Sequence, residues 1–144
     1  MRANLNKLIL KEVMKMGLGY KGDTGHHHTI GENIDGMKND YPINDGYFGS
    51  KSDNKDNRVR HIESSDPSTT AKDFYDRIAN GGIEKEIMDK SGKIKGATAK
   101  MADGSIVTWR NVSNSDGSPA VDINISKTSA SGGLKLQKIH FIKG

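Results

Sequence analysis

The side chains best able to do chemistry crowd into the last third of the chain. Between Asp103 and Phe141 stand Thr108, Arg110, Ser113, Ser115, Asp122, Lys138 and His140, and His61 precedes them in the segment RVRHI. An arginine offers planar, always-charged donors that match a phosphate and can stabilise the extra charge of a pentavalent transition state. Hydroxyls of Ser113, Ser115 and Ser118 can donate to the same oxyanion, and Thr108 and Lys138 add contacts for a substrate. A carboxylate such as Asp122 beside His140 can orient the imidazole or raise its basicity. Cleaving RNA through its 2′-hydroxyl takes one group to remove that proton and another to protonate the leaving 5′-oxygen, without a metal. His140, with His61 or with a histidine from an upstream loop, could form that pair, with Arg110 on the phosphate. Each of these residues also has a plainer reading, as a surface arginine, a solvated carboxylate, or a histidine satisfied near a helix cap.

The upstream loop carries His26, His27 and His28 in a glycine-rich stretch. Neighbouring residues of an extended chain point to opposite faces, so only His26 and His28 could share one ion. With nearby Asp or Glu they would make the metal site of a DNase, the rival to the metal-free chemistry above. No HExxH-type motif accompanies them.

Three strands are expected to carry the C-terminal residues. In Ser105–Asn111, Ile106, Thr108 and Arg110 share one face and Val107 and Trp109 the other; in Ala120–Ile125, Val121, Ile123 and Ile125 alternate with Asp122 and Asn124. In Leu134–Ile142, Leu136, Lys138, His140 and Ile142 oppose Lys135, Gln137, Ile139 and Phe141. Ahead of them Ser65, Asp66 and Ser68 offer caps and Pro67 a first helical position. The helix then shows one apolar face of Ala71, Phe74, Tyr75 and Ile78, and Asn80-Gly81-Gly82 stops it. A second helical period runs from Leu5 to Met16, as a helix on the domain or the remnant of a longer connection. Gly17–Asn57 has little periodicity, although Tyr41, Ile43, Tyr47 and Phe48 should anchor it; RVRHI is a strand or the lead into the helix, and Lys93–Ala99 an edge strand. The sum is an α+β fold in which N-terminal helices pack on a twisted antiparallel sheet formed by the C-terminal half. Residues 1–17 would be the helix or linker remnant and 18–144 one domain with its core in 58–144.

Composition bounds the function classes. The 144 residues carry a net charge of +4, which favours an acidic partner such as nucleic acid or an acidic inhibitor protein. Without cysteine there is neither a disulfide nor a thiol nucleophile. No run approaches a membrane span, and the lysines and glutamate between Lys7 and Lys15 break any signal-peptide core.

The helix AKDFYDRIANGG, the pattern R-x-x-S-x-S-x-G-x-P-x-V-D-I that begins at Arg110, and the closing QKIHF together resemble the C-terminal toxin domains of bacterial polymorphic toxins, including contact-dependent inhibition proteins. Many of these are similar to the barnase, EndoU, colicin and RelE group of metal-independent RNases. The resemblance spans Arg58 to Phe141 and implies a nuclease that needs no cofactor and acts on tRNA or another structured RNA. It further implies secretion as the tip of a larger toxin, action in the target-cell cytoplasm, a cognate immunity protein, and in some cases a host activating factor. It places the site at Arg110, Ser113, Ser115, Asp122 and His140, with His61 as a second candidate.

Overall fold

The computed structural model describes residues 28–113, 116–125 and 131–144. The expected helix over Leu5–Met16 lies outside these residues, as do His26, His27 and Ser115. Among the described residues the fold is α+β: helices α1 (Ile30–Asp35) and α2 (Pro67–Ile78), with strands β1 (Ile43–Asn44), β2 (Tyr47–Phe48), β3 (Ser50–Lys51), β4 (Val59–Ser64), β5 (Ile83–Met88), β6 (Ile94–Lys100), β7 (Ile106–Arg110), β8 (Ala120–Asn124) and β9 (Gln137–Lys143). β1 and β2 form a small hairpin, and the other seven strands form one sheet in the order β3-β4-β9-β8-β7-β6-β5.

This arrangement corrects the expected one in two respects. The sheet takes two strands from ahead of α2, so the helix sits in mid-chain; and one pair, β4 with β9, is parallel. The parallel pair follows from connectivity. Helix α2 carries the chain back along the sheet, so β5 starts in the direction of β4. Four antiparallel steps then bring β9 round beside β4, pointing the same way.

Helix α2 forms where its sequence signals lie. The Asp66 side chain accepts from the Thr69 N–H, Pro67 opens the first turn, and Ala71, Phe74, Tyr75 and Ile78 are buried on one stripe. Phe74 is the centre of the core, edge-on to Phe48 at 4.8 Å, Tyr41 at 5.0 Å and Phe141 at 5.5 Å between ring centroids. Under the helix lie Val107 and Trp109 of β7, Val121 and Ile123 of β8, and Ile139 and Phe141 of β9, the alternate positions of each strand.

The segment that reads as irregular is tied down at both ends. Thr29 and Glu32 make a reciprocal capping box at the start of α1, whose Ile30 and Ile34 are buried. Asn33 then donates to the carbonyls of Ile78 (2.9 Å) and Asn80 (2.8 Å), which supplies partners at the end of α2. Phe48 is fully buried, and the Arg60 guanidinium reaches the carbonyls of Phe48 and Gly49 and stacks on Tyr47. No helix among the described residues is long and apolar enough to cross a membrane.

Candidate functional site

The face of the sheet opposite α2 carries no described helix, and strand register decides which side chains meet there. Two rows run across it. The first is Ser50, His61, His140, Ala120, Arg110 and Gly96, on six successive strands from β3 to β6. The second is Val59, Lys138, Asp122, Thr108, Thr98 and Lys85, from β4 to β5. Of the residues expected at the site, His61, Arg110, His140, Thr108, Asp122 and Lys138 therefore share one face.

The two histidines are side by side because β4 and β9 are parallel and in register at this point. Their ring centroids are 6.2 Å apart and their planes nearly perpendicular. Beyond His140 comes Ala120, a small and buried residue between the histidines and Arg110. That arginine is two strands from His140, on the order of 10 Å at the usual strand spacing, a span its side chain can share with a bound anion. The side chains of His61, Arg110, Asp122 and Lys138 make no hydrogen bond or ion pair with a described residue.

His140 is different. It is buried, at 4% exposure, beneath the turn that joins β7 to β8. In that turn Asp116 Oδ1 accepts from the Ser113 hydroxyl at 2.9 Å and from the Ser118 hydroxyl and backbone N–H, the latter at 3.0 Å. The Ser118 oxygen is 2.9 Å from His140 Nδ1, and Asp116 Oδ1 is 3.2 Å from the same nitrogen. A hydroxyl has one proton to give, and here it goes to Asp116, so Ser118 accepts from Nδ1–H. The neutral imidazole thereby keeps its lone pair on Nε2, the nitrogen a base would use.

The electrostatics agree with that tautomer. Burial pushes the His140 pKa down, and the positive charges of Lys138 and His61 push the same way; Asp116 opposes them in part. Hydrogen bonds from Ser118, then Ser113, together with the His140 charge hold the Asp116 carboxyl well below the usual carboxylate range against a smaller burial effect. The ring is thus kept neutral but firmly oriented near pH 7.

Several expected roles change. Asp122 does not orient His140: its cross-strand neighbours are Lys138 and Thr108, while Ala120 lies opposite His140. The orienting carboxylate is Asp116, missed because the sequence shows only a polar turn; its signal was the Asp-Gly-Ser run, a turn in which Asp binds the backbone two residues on. Ser113 and Ser118 spend their hydroxyls on Asp116 and His140 and are not poised for an oxyanion. Thr108 is bonded to Thr98, 3.0 Å between hydroxyls. His28 sits on the helix side of the sheet: its Nδ1 is 3.1 Å from Asn33 Oδ1, its ring lies against Gly81, and its carbonyl accepts from Ala102. It joins α1 to the end of α2, away from the His61–His140 pair. Among the described residues no three His, Asp or Glu side chains converge as a metal site. No protein-family model, curated protein or solved structure matches the chain.

Proposed function

We propose that this face cleaves RNA without a metal, as the endoribonuclease domain of a secreted bacterial toxin acting on tRNA or another structured RNA. The observation that carries the reading is the row His61–His140–Ala120–Arg110, with His140 kept neutral by its burial and oriented by Asp116 and Ser118. His140 Nε2 takes the proton of the 2′-hydroxyl, and the freed oxygen attacks the adjacent phosphorus. The 5′-oxygen leaves with a proton from His61, which yields a 2′,3′-cyclic phosphate and a free 5′-hydroxyl. Arg110 donates to the non-bridging oxygens as charge builds on them. Each proton-transfer group of this kind contributes about 10²–10⁴-fold. Lys138, beside the histidines, adds positive potential for a polyanion and lowers the His140 pKa.

Neutralisation by a cognate immunity protein, delivery as the C-terminal part of a larger toxin, and a host activating factor belong to the same proposal, supported by the sequence resemblance and by the basic charge. The test is incubation of the purified domain with total RNA and with plasmid DNA, each with and without EDTA. RNA cleavage that survives chelation and falls at least about 100-fold in His61→Ala and Arg110→Ala is the expected result. Retention of cleavage in both Arg110→Ala and His140→Ala, or cutting of plasmid DNA that EDTA abolishes, overturns it.

A further inference from the structure

The open face carries a third row, two residues along the strands from the second. Ile83, Lys100, Ile106 and Asn124 stand opposite one another on β5, β6, β7 and β8, and Leu136, the residue before β9, comes next to Asn124. Unlike the first two, this row is apolar: Ile83, Ile106 and Leu136 are 39%, 39% and 41% exposed. Lys100 is the only charge in it and forms no ion pair with a described residue. Large apolar side chains lined up on an exposed face mark a contact surface.

The chain itself supplies an occupant. Its described part begins at His28, whose N–H donates to the Gly81 carbonyl and whose carbonyl accepts from the Ala102 N–H. It therefore enters the fold within two residues of both Ile83 and Lys100, at one end of the row. Upstream, Leu5, Leu8, Ile9, Val13 and Met16 recur at helical spacing with Glu12 among them, while Lys7, Lys11 and Lys15 lie four apart on another side. A helix over Leu5–Met16 is about 18 Å long, and the row, across five strands, is about 19 Å. The residues between Met16 and His28 reach up to about 36 Å, enough to cross the rim of the sheet.

Laid with Met16 at the β5 end, where the chain enters, the two patterns coincide. Met16 meets Ile83; Glu12, about 6 Å along, meets Lys100; Ile9, about 10 Å along, meets Ile106; and Leu5, about 16 Å along, meets Leu136. The one acid on the stripe falls on the one base in the row. Three partly exposed side chains are too little to hold a separate protein, which needs about 800 Å² a side. A segment on a short tether acts at about millimolar effective concentration and needs far less.

We propose that Leu5–Met16 lies as a helix across the open face on Ile83, Ile106 and Leu136, with Glu12 against Lys100. The third row is about 13 Å from the first, against a helix radius of about 6 Å. The segment therefore makes a wall beside the His61–Arg110 row and leaves that row open. It holds this place whether or not the face cleaves RNA.

The chain has no cysteine, so an introduced pair supplies the only thiols. In the full chain Leu5→Cys is combined with Leu136→Cys or, as a control, with Lys90→Cys in the β5–β6 turn, which is about as far from the point of entry. Disulfide formation at micromolar protein in a glutathione redox buffer is followed by mass spectrometry, and a thermal melt verifies that each variant is folded. The bond to position 136 should form at least about tenfold faster than the bond to position 90, and adding Ile9→Asp should slow it to the control rate. Glu12→Lys or Lys100→Glu alone should slow it about two- to fivefold, the range of an exposed ion pair, and the two together should restore it. Equal rates for the two pairs, a rate unmoved by Ile9→Asp, or a disulfide that joins two chains overturns the docking. Indifference to both charge reversals overturns the Glu12–Lys100 contact.

Discussion

Replacing Asp116 by Asn should lower the pKa of His140, and the size of the change can be worked from one distance. Asp116 Oδ1 lies 3.2 Å from His140 Nδ1, and its side chain is 48% exposed. A unit charge at that separation is worth about 5 kcal/mol at an effective dielectric of 20 and about 1.3 kcal/mol in water. With half of the carboxylate in solvent the lower figure governs, and about 1.4 kcal/mol corresponds to one pK unit. The sign follows from Asp116 favouring the imidazolium: without its charge, burial, Lys138 and His61 act unopposed, and the ring gives up its proton at a pH about one unit lower. Asn keeps an oxygen in place for the hydroxyls of Ser113 and Ser118, so the turn should persist. Histidine-detected NMR titration reads the result directly and needs no substrate. If His140 is the base, the acid limb of kcat/KM for RNA cleavage moves down by the same amount, and the plateau drops because the base is weaker. An unchanged or raised His140 pKa in Asp116→Asn would refute the assignment of Asp116 as the orienting carboxylate.

Phe74→Ala empties the centre of three edge-on ring contacts and should cost about 3–5 kcal/mol in urea unfolding. Gly49→Ala should also destabilise, since φ is +68° and a Cβ there would stand 2.3 Å from the His61 carbonyl oxygen; a lowered melting temperature checks it. Stability should rise with pH from the acid side. The folded pKa of Asp116 is depressed, so its contribution is in place above the unfolded carboxylate pKa and is lost as pH falls towards the folded value; the depressed His140 pKa acts with the same sign below about pH 6.5. In Asp116→Asn the carboxylate's own loss at the acid end is absent, while His140, depressed further without Asp116, should make stability fall more steeply between about pH 6.5 and 5; urea unfolding across that range checks it.

The elements legible in the sequence were those with a buried stripe to report. α2 shows its cap, its proline and four apolar positions on one side, and β7, β8 and β9 alternate cleanly because one face of each lies under that helix. β5 was invisible for the opposite reason. As the edge strand with nearly every residue exposed, its IEKEIM has no buried face to impose a pattern; it is held by its ladder to β6 and by the Tyr75 hydroxyl, which donates to Glu84 at 2.8 Å. Once β5 takes the edge, Lys93–Ala99 is not the edge strand it resembles but an interior one, β6. α1 is too short to show a period, and only the Thr29–Glu32 capping box marked it.

The site was legible as a list of residue types and not as a set of partners. Alternation along each strand puts Arg110, Asp122 and His140 on the polar face, but which of them meet depends on a register that no single strand contains. A shift of two residues between β8 and β9 would bring Asp122 opposite His140; the observed register brings Ala120 there instead. The parallel join of β4 to β9 is likewise a long-range outcome of the route through α2, and it alone sets His61 beside His140. Asp116 enters through neither periodicity nor register: it acts from a turn, folded back over β9 by its bonds to Ser113 and Ser118. The consequence is a division of labour between two aspartates that look interchangeable in sequence. Asp116, engaged three times over, orients the His140 ring, and the Asp122 carboxylate makes no bond with a described residue.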